Sequence, residues 1–326
     1  MKNIHYLFTA VFLCQFTLYS CENKQQAADH SQSADTVNIE VPEEENGFSF
    51  LIIGDWGRCG DYFQKEVSHQ MNIFSEKTDA EFIVSTGDNF YDNGVRSTED
   101  AQWDKSFEDI YTGSHLQKNW YVILGNHDYH GNPQAEIDYS KKSRRWNMPS
   151  RYYTIKQKVN DSVDARLIFI DTNPFIKKYH KEAGDYADIA KQDTTKQLRW
   201  LDSLLAHSTE PWKIIVGHHP LYSSSSKHGN AEELITVLKP MMEKYHVQMY
   251  IAGHEHDLQH LKPENSTVDY IVSGAGSEVR PTGKNEMTKF SASVGGFAVA
   301  SINNDSLKLY FVDDKGKMIY NMSRGR

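Results

Sequence analysis

Short apolar runs recur along the chain, and each closes on a glycine followed by a polar residue. Residues 48–53 run into Gly54-Asp55, 82–86 into Gly87-Asp88, and 120–124 into Gly125-Asn126. Farther on, 213–216 run into Gly217-His218 and 248–252 into Gly253-His254. Runs of this length, rich in Ile, Val, Tyr and Phe and closed by glycine, predict buried strands. Between them, 62–77, 194–207 and 231–245 carry helical patterns, and strands alternating with helices indicate an α/β layered domain. Later runs at 270–272, 296–302 and 307–311 are separated by turns and predict further antiparallel strands. All five glycine-polar motifs then fall at carboxyl ends of strands, where open α/β sheets place their sites, so they can converge.

A chain of 326 residues fits one large domain or two small ones, and 39% hydrophobic residues with 12% aromatics can build a core. The net charge of -9 argues against a nucleic-acid partner. Much of that charge sits in residues 22–46, which hold seven acids and one base and read as a flexible tether. Ahead of it, Lys2 and the mostly apolar stretch 4–20 read as an export signal; His5 and Gln15 interrupt it too much for a membrane span. Leu18-Tyr19-Ser20-Cys21 resembles a bacterial lipobox, with Tyr19 as its one departure. The expected organisation is a signal peptide over 1–20, a lipidated Cys21, an acidic tether over 21–46 and a catalytic domain over 47–326. That makes an exported monomer, lipid-anchored in the periplasm or at the cell surface, or otherwise periplasmic or secreted. With Cys14 in the leader and Cys21 acylated, no disulfide is expected at Cys59, which reads as a small residue beside the site.

Each motif alone has an ordinary reading. Gly54-Asp55 is equally a turn or a helix cap, and Asn126-His127-Asp128 an Asx-type turn with a surface histidine. His254 and His256 are stronger, because residues two apart on an extended segment point to one side and can reach two adjacent metals. Five strand ends that offer Asp, Asn or His in order make the signal, through their mutual consistency. Tyr91, three residues after Asp88, adds a phenolate, a hard anionic ligand.

This order of motifs resembles the binuclear metallophosphoesterase family. Gly57 stands where most members carry a histidine, and Tyr91 is present; that exchange is similar to the purple acid phosphatases. Arg145-Trp146-Asn147-Met148-Pro149-Ser150, Gly253-His254-Glu255-His256-Asp257-Leu258-Gln259, Val272-Ser273-Gly274-Ala275-Gly276 and Gly295-Gly296-Phe297-Ala298 resemble the mammalian-type tartrate-resistant subfamily. The likeness spans roughly residues 47–320. It implies a four-layer α/β/β/α sandwich with two mixed sheets. It also implies one metal on Asp55, Tyr91 and His256, another on Asn126, His218 and His254, and Asp88 bridging them. Two hard anions beside the bridge suit Fe(III), and neutral ligands suit a divalent Fe, Zn or Mn.

The implied activity is acid phosphatase hydrolysis of small phosphate monoesters through attack by a metal hydroxide. His127 lies outside the ligand set and is expected to face the substrate as general acid, oriented by Asp128. His228 resembles a second substrate-facing histidine, with one extra residue separating it from His218. His219, His260 and Trp146 are expected to pack, and 177–181 to form a charged surface loop. Two other readings stay open: a phosphodiesterase or pyrophosphatase on the same scaffold, and a surface lipoprotein that binds metal or phosphate without turnover. The anchor has a direct test. Radiolabelled palmitate should enter the full-length chain in a bacterial host and be absent from Cys21→Ser; equal labelling of both would remove Cys21 as the lipid site.

Overall fold

The computed structural model describes residues 46–186 and 188–326. The expected signal peptide, Cys21 and nearly all of the tether lie outside these residues. Among the described residues, no helix is long and apolar enough to cross a membrane.

Among the described residues, nineteen main elements build two sheets and their helical cover. In chain order the first half contains β1 (Gly47–Ile53), α1 (Gln64–Lys77), β2 (Phe82–Ser85), β3 (Asn119–Val122), α2 (Pro133–Tyr139), β4 (Trp146–Asn147), β5 (Tyr153–Asn160) and β6 (Val163–Phe169). The second half contains α3 (Lys177–Lys181), α4 (Thr194–His207), β7 (Trp212–Val216), α5 (Glu232–Lys244), β8 (Met249–Ala252), β9 (Leu258–Leu261) and β10 (Asp269–Ser273). The chain ends in β11 (Thr288–Ala292), β12 (Gly296–Asn303), β13 (Ser306–Asp313) and β14 (Met318–Gly325).

The first sheet has the order β14-β13-β12-β1-β2-β3-β4, and the second β11-β9-β10-β8-β7-β6-β5. Both are mixed. Strands β1 to β4 run parallel, with β12 antiparallel to β1. In the second sheet β6, β7, β8 and β10 run parallel, flanked by antiparallel β5 and β9.

Side-chain alternation explains the layering. On β6 to β8, Leu167, Phe169, Ile214, Val216, Met249 and Ile251 join the core shared with the first sheet. Their neighbours Ile168, Ile215 and Tyr250 point the other way, onto Leu201 and Leu205 of α4 and Leu234, Leu238 and Met242 of α5. Both faces being buried is why these strands read as continuous apolar runs rather than alternating ones. Across the sandwich Tyr121 meets Phe169 at 5.9 Å, and Ser273 donates to the Ile52 carbonyl at 3.0 Å. Helix α1 covers the first sheet with Val67, Met71 and Phe74, the last lying edge-on to Phe297 at 5.8 Å. Helix, sheet, sheet and helix therefore stack as expected.

A buried aromatic block lies beneath the first two motifs. Trp56, Phe90, Trp103, Phe107, Tyr111, Trp120 and Trp146 pack together, with Trp56 donating to Ser85 Oγ at 2.8 Å. Trp56 follows Asp55 and Phe90 precedes Tyr91, so the block anchors the loops that carry both residues. Trp146 packs as expected. One expectation is corrected: Cys59 is disulfide-bonded, and the chain's other cysteines, Cys14 and Cys21, lie outside the described residues.

Candidate metal centre

The carboxyl ends of β1, β2, β3, β7 and β8 bring the motif residues together. Asp55, Asp88 and His254 each follow a glycine and take left-handed backbone, with φ of 59°, 49° and 68°. Such conformations cost free energy in residues with a Cβ and cluster where surrounding contacts impose them. Glycine also permits close approach. A Cβ on Gly125 would stand 2.1 Å from Asp88 Oδ1.

Two groups of ligand-type atoms result. In one, Tyr91 Oη lies 3.0 Å from Asp55 Oδ1, 2.9 Å from Asp88 Oδ2 and 3.0 Å from His256 Nε2. In the other, His218 Nε2 lies 3.2 Å from Asn126 Oδ1, 3.2 Å from His254 Nδ1 and 3.4 Å from Asp88 Oδ1. Asp88 thus turns one oxygen to each group. The Thr86 carbonyl accepts from His218 Nδ1–H at 2.9 Å, which leaves Nε2 with its lone pair toward the cluster. His254 N–H donates to Asp55 Oδ2 at 2.9 Å and ties the two sheets together.

The electrostatics are those of buried anions. Burial, then the Asp88 charge, raises the Asp55 carboxyl well above its usual range, against hydrogen bonds from Tyr91 and His254. Burial also acts to raise Asp88, but the His218 and His127 rings when protonated, with hydrogen bonds from the His127 amide and Tyr91, bring it below the usual range. Burial lowers His218, His254 and His256, so these rings stay neutral and can act as ligands. Burial and the Asp55 and Asp88 charges raise the Tyr91 phenol; Arg58 opposes them.

His127 donates its amide to Asp88 Oδ1 at 2.8 Å and its Nδ1–H to the Asp92 carbonyl at 2.6 Å. Its ring lies 4.4 Å from that of Tyr91. Asp128, expected to orient His127, faces elsewhere, which corrects that expectation. Its carboxylate accepts from the amides of Gly125 at 2.7 Å, Asn89 at 2.9 Å and Phe90 at 3.2 Å, pinning the Asp88 loop from beneath. His228 is exposed, with Nδ1 3.3 Å from Glu255 Oε2 and its ring 4.3 Å from that of His254. His219 lies near His218 and His254, yet both its nitrogens are engaged, by Thr172 and Tyr179 at 2.8 Å each. His260 is likewise held away by Tyr320 and Asp269. Tyr179 belongs to α3, so the charged 177–181 segment is wired to the site through His219.

A family model for calcineurin-like phosphoesterases matches residues 48–258. The chain is 37% identical over 294 residues to purple acid phosphatase 17 of Arabidopsis thaliana, covering 86% of each. It belongs to the purple acid phosphatases. It is also 32% identical over 299 residues to tartrate-resistant acid phosphatase type 5 of Homo sapiens, covering 83% of this chain and 89% of the relative. Among solved structures, GAP50, the anchor in the inner membrane complex of Plasmodium, aligns with a TM-score of 0.75 at 26% identity, over 85% of this chain and 88% of that one. Purple acid phosphatase PPD1 of yellow lupin shares the fold at a TM-score of 0.63 and 17% identity, over 88% of this chain and 55% of that one. As a purple acid phosphatase the chain is a phosphatase hydrolase on a metallophosphoesterase scaffold.

Within that family the first motif has a steric explanation. A Cβ at Gly57 would meet the Asn89 carbonyl at 1.8 Å, so the histidine found there in most metallophosphoesterases has no room. The same backbone contact delivers Tyr91, whose N–H donates to the Gly57 carbonyl at 2.9 Å. Sequence reasoning missed Arg58, Glu255, Glu278, Asn89 and Glu136. Asn89 and Glu255 stand inside recognised motifs and were the readable ones.

The buried acids predict a pH response. Asp128 is pushed up to about 8 by burial and then Asp88, and burial and Asp128 hold Glu136 well above its usual range. An unfolded carboxyl is ionised above about pH 5, so the metal-free folded state binds more protons than the unfolded one up to about pH 8. Asp128 then costs about 1.4 kcal/mol of stability per pH unit as pH rises through that range, and Glu136 acts in the same direction. Buried neutral histidines act in the opposite direction only below about pH 6.5. The melting temperature of metal-depleted protein should therefore fall from about pH 6.5 to 8, and added metal should flatten that slope. A melting temperature that climbs across the window without metal would contradict the account.

Proposed function

We propose that the chain is an acid phosphatase that hydrolyses phosphate monoesters at a binuclear Fe(III)–M(II) centre. The observation that carries this reading is the Asp88 carboxylate, which faces one group of ligand atoms with each oxygen. The donor set fits two cations. Tyr91 has one proton for three neighbouring acceptors, and His256 Nδ1 is buried without a hydrogen bond. Around His218 Nε2, three further atoms converge with at most one ring proton among them. Clustered lone pairs of this kind call for positive charge.

In this reading Asp55, Tyr91 and His256 would hold the trivalent ion, Asn126, His218 and His254 would hold a divalent Fe, Zn or Mn, and Asp88 would serve both. When bound, the pair would supply Lewis acidity and an activated water for in-line attack on phosphorus. The protein's own residues do the rest. His127, fixed through Nδ1 by the Asp92 carbonyl, presents Nε2 to the ester and protonates the leaving oxygen. His228, steadied by Glu255, binds the phosphoryl oxygens from the side of His254. Asp128 takes no proton in the reaction; by tying three backbone amides it keeps Asp88 and Asn126 in register.

His127→Ala should retain both metals yet lose about 10²–10⁴-fold in turnover of an alkyl phosphate. An aryl phosphate with an acidic phenol needs less help and should lose less. Equal loss on both esters would remove His127 as the acid, and faster cleavage of a bis-aryl phosphate than of the aryl monoester would replace the monoester reading with a diesterase. The metal assignment has its own signature. Iron-loaded protein should carry a visible tyrosinate-to-iron band that vanishes in Tyr91→Phe, whereas a colourless, active, zinc-only enzyme would overturn the iron while leaving the phosphatase.

A further inference from the structure

Arg58 leaves the first motif directly after Gly57 and folds back over the ring of Tyr91. Its Cζ stands 3.8 Å from that ring centroid and 5.3 Å from the ring of Tyr62. Two carboxylates hold it there: Nη2 donates to Glu278 Oε2 at 2.7 Å, and Nη1 to Asp92 Oδ1 at 3.3 Å. The Arg58 side chain is 13% exposed and that of Asp92 71%, so Glu278, at 31%, is the better-shielded anchor. Glu278 also faces Arg280 at 3.8 Å and His256 Nδ1 at 3.6 Å. A guanidinium, its Glu278 counter-ion and two residues of the first ligand group, Tyr91 and His256, therefore stand in one contact chain.

A cation over an aromatic face is attracted by the ring's negative quadrupole. The attraction grows when the ring bears the charge of a phenolate, as it does for a metal-bound tyrosine. Arginine suits such a position because it keeps its charge at any acidic pH and its planar fork can stack and bind a carboxylate at once. We propose that Arg58 is a positioning residue that tunes Tyr91 as a ligand, its fixed charge stabilising the phenolate electrons and moderating how strongly they are donated to the metal. The inference rests on the ferric reading of the Tyr91 site given above. It goes further by naming a residue outside the ligand set that governs the electronic character of that site. A merely structural Arg58, pinning the loop through Glu278 and Asp92, would affect folding or metal content without moving the phenolate energy.

The absorption spectrum separates these roles, read on iron-loaded full-length protein alongside its iron content. Wild type should show the visible band and Tyr91→Phe should lack it. In Arg58→Met and Arg58→Gln the band should persist at equal intensity per iron but move to longer wavelength, because phenolate electrons relieved of the cation are easier to transfer. Arg58→Lys, which keeps the charge, should move it less. A band at the wild-type position in both neutral variants overturns the inference and leaves the ferric site standing. A shift to shorter wavelength, or an equal shift in Arg58→Lys, also overturns it. Absence of the band in iron-loaded wild type removes the ferric reading and the inference with it, so the two failures are distinguishable. Using two neutral substitutions keeps the result independent of whether either one folds.

Discussion

Asp88 is the constraint on which the rest of the site depends. A carboxylate removed from water is costly unless charge or several hydrogen bonds replace its hydration. Asp88 sits at the end of a buried strand with Asp55 and Asp128 close by, and the surrounding loops answer this crowding with backbone amides. His127 N–H serves Asp88, His254 N–H serves Asp55, and three amides serve Asp128. Bringing backbone that near to carboxylates needs glycine at Gly125 and left-handed turns at Asp55 and Asp88. Even so, the amides leave Asp55 strongly biased toward its protonated form. The loops are shaped around a cluster of acidic groups whose ionised form bound cations would stabilise.

Neither sheet owns the site. The first supplies Asp55, Asp88, Tyr91 and Asn126, and the second supplies His218, His254 and His256. The acidic groups proposed as ligands thus come from one sheet and the imidazoles from the other. They meet because both sheets turn the carboxyl ends of parallel strands to the same edge of the sandwich. Polar links cross there, among them His218 to the Thr86 carbonyl, the His254 amide to Asp55, and Ser273 to the Ile52 carbonyl. The aromatic block around Trp56 and Phe90 serves the same end from below, since it fixes the residues flanking Asp55 and Tyr91.

What the sequence made legible were features carried by local pattern. Strands buried on both faces announce themselves as apolar runs, and the glycine-polar punctuation marked where they end. Strands with one wet face or little apolar content gave no apolar run: β5 carries Lys156 and Lys158, and β14 exposes Asn321, Ser323 and Gly325 in alternation. Adjacency also misled. His127 and Asp128 are neighbours, but the tight turn they enter sends the imidazole to the Asp92 carbonyl and the carboxylate inward to the Asp88 loop. Contacts that link distant segments left no trace at all. Arg58 and Glu278 are 220 residues apart, and nothing near either one signals the pair.

Position 57 links the backbone packing to the charge of the site. With the Asn89 carbonyl packed where a Cβ would sit, the first motif cannot offer a side chain there, and Tyr91 comes in from the neighbouring loop. An imidazole replaced by a phenol changes more than geometry, because the phenol binds a metal as an anion and so removes one unit of positive charge from the proposed centre. A trivalent ion in the proposed centre would restore that unit. The guanidinium of Arg58 then lies over the very ring that brought the negative charge, and Glu278 in turn neutralises the guanidinium. In the proposed centre, loss of a side chain at one glycine is thus followed outward through ligand charge, metal charge and counter-charge, each step compensating the one before it.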